Sequence, residues 1–182
     1  KIVKDIEEIA TNSKNTAGRI KQYFGRNATI INPAVDVDEF KNEGDGKYFL
    51  YPSRIVPNKR QDYAIEAFKM FEKRKKGYKL IIAGALSKDK EHVKYFNELK
   101  KLANQNVVFK VNITDKEMKS LYANSTAVLF AAINEDFGYV PLEAGASYKP
   151  IISINEGGPK ETIVDGETGY LVNSTDEMAS KM

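Results

Sequence analysis

Residues 48–84 read YFLYPSRIVPNKRQDYAIEAFKMFEKRKKGYKLIIAG. Two apolar runs, 48–51 and 79–83, are too short for helices and stop at turn residues, so both read as strands. Between them Ala64, Ile65, Phe68 and Phe71 recur at helical spacing. Asn58 followed by Gln61 has the spacing of a capping box and predicts a helix over 62–75, closed by Gly77. Strand, amphipathic helix and strand in this order form the repeating unit of a parallel sheet.

The alternation continues outward. A helix is predicted over 92–103, a strand over 107–111, and a helix to about residue 123 opened by a second capping box, Thr114 with Glu117. Strands follow at 127–131, 151–154 and 169–172. A helix from Pro141 to about Ser147 lies between the first two, since proline suits the first helical position. Gly157-Gly158-Pro159 turns into a short helix over 160–164, and Ser174 with Glu177 caps a last helix that the chain end cuts short. On the N-terminal side, 28–32 reads as a strand of the same domain. Residues 1–25, with a helix over 13–24, read as the tail of a preceding domain plus a linker. The expected organisation is therefore that tail followed by one domain over 26–182. Its class is α/β, a doubly wound parallel sheet covered on both faces. Such sheets bind ligands outside the carboxyl ends of their strands, so the loops after strands carry the functional question.

Composition narrows the chemistry. The chain has 182 residues, 42% hydrophobic and 29% charged, which fits a globular domain. No apolar run approaches the roughly 20 residues of a membrane span, and a cytoplasmic location is expected. There is no cysteine, which excludes disulfides and thiolate metal sites. The single histidine, His92, sits among Glu91, Lys94 and Asn97 on a solvated helix face, and no metal site is expected. A net charge of +3 with basic and acidic residues interspersed gives no footprint for nucleic acid. Lys73-Arg74-Lys75-Lys76 complements the dipole at a helix C-terminus, with peripheral contact to anionic lipid as the alternative. The chain starts at Lys1, so a preceding segment is expected.

Three strand-end loops hold unusual chemistry. The first places Arg54 and Lys59 around a strand end and a helix N-terminus, a pattern suited to a diphosphate. The same spacing also describes two unconnected surface cations. The second runs Asn134-Glu135-Asp136-Phe137-Gly138-Tyr139-Val140-Pro141-Leu142-Glu143. Glu135 lies in the loop and Glu143 is expected in the first turn of the next helix, so both can face one pocket. A carboxylate accepts hydrogen bonds from a vicinal diol, and Gly138 permits close backbone approach to a ligand. An acidic loop before an ordinary helix is the plainer reading. In the third, Gly157-Gly158 before a helix can cradle an anion or simply make a turn.

Together these segments resemble family four of the retaining glycosyltransferases. The matching stretches are NSKNTAGRIKQYFG with IINPAVDVDEF, YPSRIVPNKRQDYAIEAFKMF, KLIIAG, NEDFGYVPLEAGAS and GGPKETIVDGETGYLV, nearly the whole chain. The resemblance implies the C-terminal, Rossmann-like half of a two-domain GT-B fold, which binds a nucleoside-diphosphate sugar, here GDP-mannose or a UDP-hexose. It implies that Arg54 and Lys59 hold the diphosphate, that Glu143 takes the ribose hydroxyls and that Glu135 takes those of the sugar. Phe137, Gly138 and Tyr139 would offer backbone N–H groups, and Asn112 and Ile113 would lie near the base. It further implies transfer of a hexose to an acceptor hydroxyl with retention and without a metal. The glycan or lipid-linked acceptor would be bound by the absent N-terminal domain. The EDFG and PAVD segments look most like mannosyltransferases of polysaccharide and lipid-linked glycan assembly. Two departures stand out. Lys110-Val111-Asn112 replaces the Leu-Gly common before the base-binding loop, and Ala131-Ala132 replaces Pro-Ser before the glutamate loop. A non-catalytic nucleotide-binding module, or a GT-B epimerase or phosphorylase, is the alternative reading.

Overall fold

The computed structural model describes residues 6–182; residues 1–5 of the expected tail lie outside the described residues. A small unit comes first: β1 (Ala10–Thr11), α1 (Lys14–Phe24) and β2 (Thr29–Ile30), the two strands pairing in parallel. The main sheet is built from β3 (Tyr48–Pro52), β4 (Lys79–Gly84), β5 (Val107–Val111), β6 (Ala127–Phe130), β7 (Ile151–Ile154) and β8 (Gly169–Val172). Its order is β5-β4-β3-β6-β7-β8, every pair parallel. The intervening helices are α2 (Gln61–Arg74), α3 (Lys90–Leu102), α4 (Asp115–Asn124), α5 (Tyr139–Ala146), α6 (Pro159–Thr162) and α7 (Thr175–Lys181). This is the doubly wound, Rossmann-like α/β class that the alternating pattern predicts.

Strand periodicity explains the two cores. Successive side chains point to opposite faces. Phe49 and Tyr51 of β3 join the cluster with Ile65 and Phe68 of α2 and Met178 of α7. Tyr48 and Leu50 join the other, with Tyr122 of α4 and Ala144 of α5. Because both faces are covered, β3, β6 and β7 are buried along their whole length, and only Ser153 of β7 interrupts their run of apolar residues.

Several local expectations are corrected. Residues 28–32 do not join the main sheet: Thr29 and Ile30 pair with Ala10 and Thr11, because α1 returns the chain beside β1. The boundary expected after residue 25 falls between α1 and β2 of this one unit. The capping box at Asn58 and Gln61 does not form. A 3-10 turn over Pro57–Lys59 precedes α2, Arg60 stands at its start in a left-handed conformation (φ 49°), and no side chain caps it. Gln61 is instead fully buried and donates to Ser53 Oγ and to the Arg54 carbonyl, both at 2.8 Å. The box at Thr114 with Glu117 forms, and Ser174 caps its helix by accepting from the Glu177 N–H, while the Glu177 carboxylate accepts from Asn173 N–H. Helix α5 starts at Tyr139, two residues before Pro141, which places Glu143 beyond the first turn. Lys73 and Arg74 end α2, as dipole complementation expects, and Arg74 donates to the Ala179 carbonyl of α7. His92 lies in the first turn of α3 with Nδ1 2.7 Å from Ser87 Oγ.

Candidate functional site

The sheet order reverses direction between β3 and β6. The chain builds outward from β3 to β5 on one side and from β6 to β8 on the other, so the loops leaving β3 and β6 splay apart at this switch point. Ligands of open α/β sheets bind in that crevice. The loop after β3 carries Arg54 and Lys59, and the loop after β6 carries Glu135.

These loops are fastened to each other from beneath. Tyr51, at the end of β3, has no solvent exposure. Its hydroxyl accepts from the Ala131 N–H at 2.8 Å and donates to the Lys59 carbonyl. Burial pushes the phenol far above its usual range, so it stays a donor. Ile133 N–H adds a bond to the Asn58 carbonyl at 3.0 Å. Gly84 lets β4 approach: a Cβ there would stand 1.9 Å from the Ser53 carbonyl oxygen, at a φ of 155°. The outcome is that Lys59 and Glu135, 76 residues apart, form an ion pair whose side chains are 14% and 19% exposed. The Lys59 ammonium also lies 5.6 Å from the Phe130 ring centre. Arg54 stands on the same loop, exposed, its carbonyl fixed by Gln61 and its guanidinium in no salt bridge among the described residues.

The glutamate loop is shaped by its backbone. Asn134 (φ 55°) and Gly138 (φ 85°) take left-handed conformations at its two ends. Phe137 is buried and meets the Tyr139 ring edge-on, with 6.3 Å between centroids. Gly157 and Gly158 have no room for side chains: a Cβ on Gly158 would stand 2.3 Å from Phe137 Cα, and Gly158 N–H bonds the Glu135 carbonyl at 2.9 Å. The paired glycines therefore make room for the glutamate loop, and the cradle for an anion that the sequence allowed is filled by protein. Helix α5 begins at this loop with Gly138, which has no side chain to cap it, and Pro141 carries no N–H. The Tyr139 and Val140 N–H groups start the helix, where its dipole favours negative charge.

Glu143 accepts from the Tyr122 hydroxyl at 2.6 Å. Tyr122 is 1% exposed, and burial with the neighbouring carboxylate raises its phenol well above the usual value. The structure thus joins Lys59 and Glu135 directly, keeps Phe137, Gly138 and Tyr139 beside them, and gives Glu143 a separate buried partner. Asn112 and Ile113 lie after the edge strand β5. Asn112, at φ 55°, bonds Gly84 and Leu86, and Ile113 packs on the second core. A cavity of about 800 Å³ adjoins the glutamate loop, lined by Phe137 and Leu142 with Lys14 and Lys160. Among the described residues no group of three or more His, Cys, Asp or Glu could hold a metal ion. Tyr51, Tyr122, Ser13 and Asn15 were not singled out from the sequence. The two tyrosines read as core and helix residues there, with nothing to mark where their hydroxyls reach.

Comparison with known proteins places this geometry. Residues 34–182 match the model of the family described as glycosyl transferases group 1. The alpha-1,3/1,6-mannosyltransferase ALG2 of Homo sapiens is 32% identical, over 90% of this chain and 45% of that protein. The GDP-mannose-dependent alpha-(1-6)-phosphatidylinositol monomannoside mannosyltransferase of Mycolicibacterium smegmatis is 29% identical, over 97% of this chain and 51% of its own. The chain thus spans about half the length of these relatives. In fold it resembles Anabaena Alr3699/HepE, solved with UDP-glucose, at a TM-score of 0.83 and 21% identity, over 95% of this chain and 52% of that one. A glycosyltransferase from Rickettsia africae superposes with a TM-score of 0.82 at 22% identity, over 96% and 52%. The chain belongs to the family of glycosyl transferases group 1.

Proposed function

We propose that this chain is the donor-binding half of a retaining hexosyltransferase that moves mannose, or another hexose, from a nucleoside-diphosphate sugar to an acceptor hydroxyl. The observation that carries the reading is the Lys59–Glu135 pair at the switch point between β3 and β6. It sets a cation for a phosphate beside a carboxylate for a sugar, in the crevice where this class of sheet binds ligands.

In this reading Lys59 and Arg54 face the diphosphate. Lysine acts as a point charge and arginine as a bidentate fork, and Arg54 is free to turn toward the ligand. As the bond between the anomeric carbon and the diphosphate breaks, negative charge grows on the leaving group. The two cations and the uncapped start of α5 stabilise it, so no metal is required. Losing one such clamp costs about 2.7–4 kcal/mol of transition-state stabilisation, by analogy with lost oxyanion donors. Glu135 is released from Lys59 to accept sugar hydroxyls, and Glu143, oriented by Tyr122, accepts those of the ribose. Phe137, Gly138 and Tyr139 supply backbone N–H groups, and Asn112 with Ile113 borders the base. The Mycolicibacterium smegmatis relative is GDP-mannose-dependent and the ALG2 relatives are mannosyltransferases, which favours GDP-mannose over a UDP-hexose.

The acceptor, a glycan or lipid-linked hydroxyl, is bound by the half of the enzyme that this chain, about half the length of its relatives, does not cover. The fragment binds donor without transferring it, because closure of two domains assembles such sites. Any peripheral membrane contact would use the Lys73–Lys76 cations in a cytoplasmic setting; no helix among the described residues is long and apolar enough to cross a membrane. The test is a thermal-shift panel of GDP-, UDP- and ADP-sugars on this chain. Stabilisation by one nucleotide series is expected, and its loss in Lys59→Ala. A flat response across the panel refutes the reading.

A further inference from the structure

We propose that Asn15 and Ser13 are positioning residues for the donor sugar: they hold the backbone of the glutamate loop so that the Glu135 carboxylate stands at the sugar. This rests on the reading of Glu135 given above and adds to it a part of the chain with no assigned role.

The first turn of α1 docks on the loop. The Asn15 side-chain amide donates to the Glu135 carbonyl at 3.1 Å. Ser13 Oγ donates to the Asp136 carbonyl at 2.6 Å. Ser13 has no solvent exposure and is also the N-cap of α1, accepting from Thr16 N–H at 2.9 Å. A capping serine ordinarily serves only its own helix. Here its lone pair serves the helix and its proton a loop 123 residues away.

The helix turn is itself held. Both oxygens of Glu161 take α1 backbone N–H groups, from Lys14 at 2.8 Å and Asn15 at 2.7 Å. These are two of the N–H groups that every helix start leaves unpaired. Glu161 lies on α6, directly after Gly157-Gly158, and those glycines pack on the other side of the same loop. A ring of contacts results: the loop bonds α1, α1 bonds α6, and the glycines leading into α6 back the loop. The Glu135 carbonyl sits where the ring closes, accepting from Asn15 on one side and Gly158 on the other. With left-handed residues at both of its ends, the loop depends on outside bonds for its path. Arg19 and Asp136 pair at 2.7 Å, but their side chains are 49% and 55% exposed, so this bridge adds little.

Calorimetric titration of the chain tests this. The probes are GDP-mannose against GDP, or UDP-glucose against UDP, whichever pair the unmutated chain binds. The Ser13→Ala/Asn15→Ala double variant is expected to bind the sugar nucleotide about tenfold more weakly while binding the nucleoside diphosphate within about twofold of the parent. Asn15→Asp, which keeps the size and loses the amide protons, is expected to shift the ratio the same way. Arg19→Ala is expected to shift neither affinity. An unchanged ratio in the double variant and in Asn15→Asp overturns the proposal. So does an equal loss of both affinities with a lowered melting temperature, which marks a purely structural role. If the parent chain binds sugar nucleotide no better than nucleoside diphosphate, the donor-sugar reading of Glu135 falls first, and this proposal with it.

Discussion

Replacing Tyr51 by phenylalanine removes one oxygen and little else, because the ring remains packed against Phe130 with 6.3 Å between centroids. Two hydrogen bonds are lost, from Ala131 N–H and to the Lys59 carbonyl. Ala131 has no solvent exposure, so its N–H stays buried without a partner, at a cost of about 1–3 kcal/mol. Lys59 is half-buried, and water can replace part of what its carbonyl loses, so that share is at most about 1 kcal/mol. The sum is about 1–4 kcal/mol. A domain of this size loses about 2–4 °C of melting temperature per kcal/mol, so the midpoint should fall by about 2–16 °C. Urea unfolding followed by circular dichroism measures it, with an unchanged m-value showing that the effect is on stability. Amide exchange should quicken at Ala131, whose partner is the Tyr51 hydroxyl, and at Ile133, bonded to Asn58 of the loop that Tyr51 anchors. A stability within about 0.5 kcal/mol of the parent would refute the claim that this hydroxyl fastens the two site loops together.

Thr114→Ala should cost about 1 kcal/mol by removing the hydroxyl that accepts from Glu117 N–H at the start of α4, read by urea unfolding. Gly158→Ala should be more damaging, because its Cβ would meet Phe137 Cα at 2.3 Å; a stable variant with unchanged sugar-nucleotide binding would contradict the packing described. Stability should fall as the pH rises above about 10. Burial raises the Tyr48 phenol to about 12 and those of Tyr63 and Tyr122 above their usual value, while the unfolded chain releases these protons near pH 10. Above that pH the unfolded state binds fewer protons, so unfolding gains; a flat unfolding free energy between pH 9 and about 11.5 would be the contrary result.

The fold was legible because the strands of the main sheet are mostly apolar and the longer helices amphipathic, and that contrast survives without coordinates. Pairing was less so. Residues 28–32 look like any other strand, and periodicity does not say that Ala10 and Thr11 are the partners. The two tetrapeptides at Asn58 and Thr114 carry the same capping signal, yet only the second caps. At the first, Gln61 is drawn into the interior by Ser53 and Arg54, and a 3-10 turn takes the place of the cap. At the candidate site, the sequence places Arg54, Lys59 and Glu135 on strand-end loops, and the structure brings Lys59 and Glu135 together. The residues that hold them were not legible there. Tyr51 falls in a predicted strand and Tyr122 in a predicted helix, and their polar tips reach partners 80 and 21 residues away. Ser13 opens the helix predicted over 13–24, and its hydroxyl donates across 123 residues. Bonds of that span are made by topology, which composition and local spacing do not encode.

The most direct measurement is a calorimetric titration of the chain, of Lys59→Ala and of Glu135→Gln with a sugar nucleotide and with its nucleoside diphosphate. The account predicts that Lys59→Ala weakens both ligands, while Glu135→Gln weakens the sugar nucleotide alone. Affinities for both ligands that neither substitution changes would contradict it.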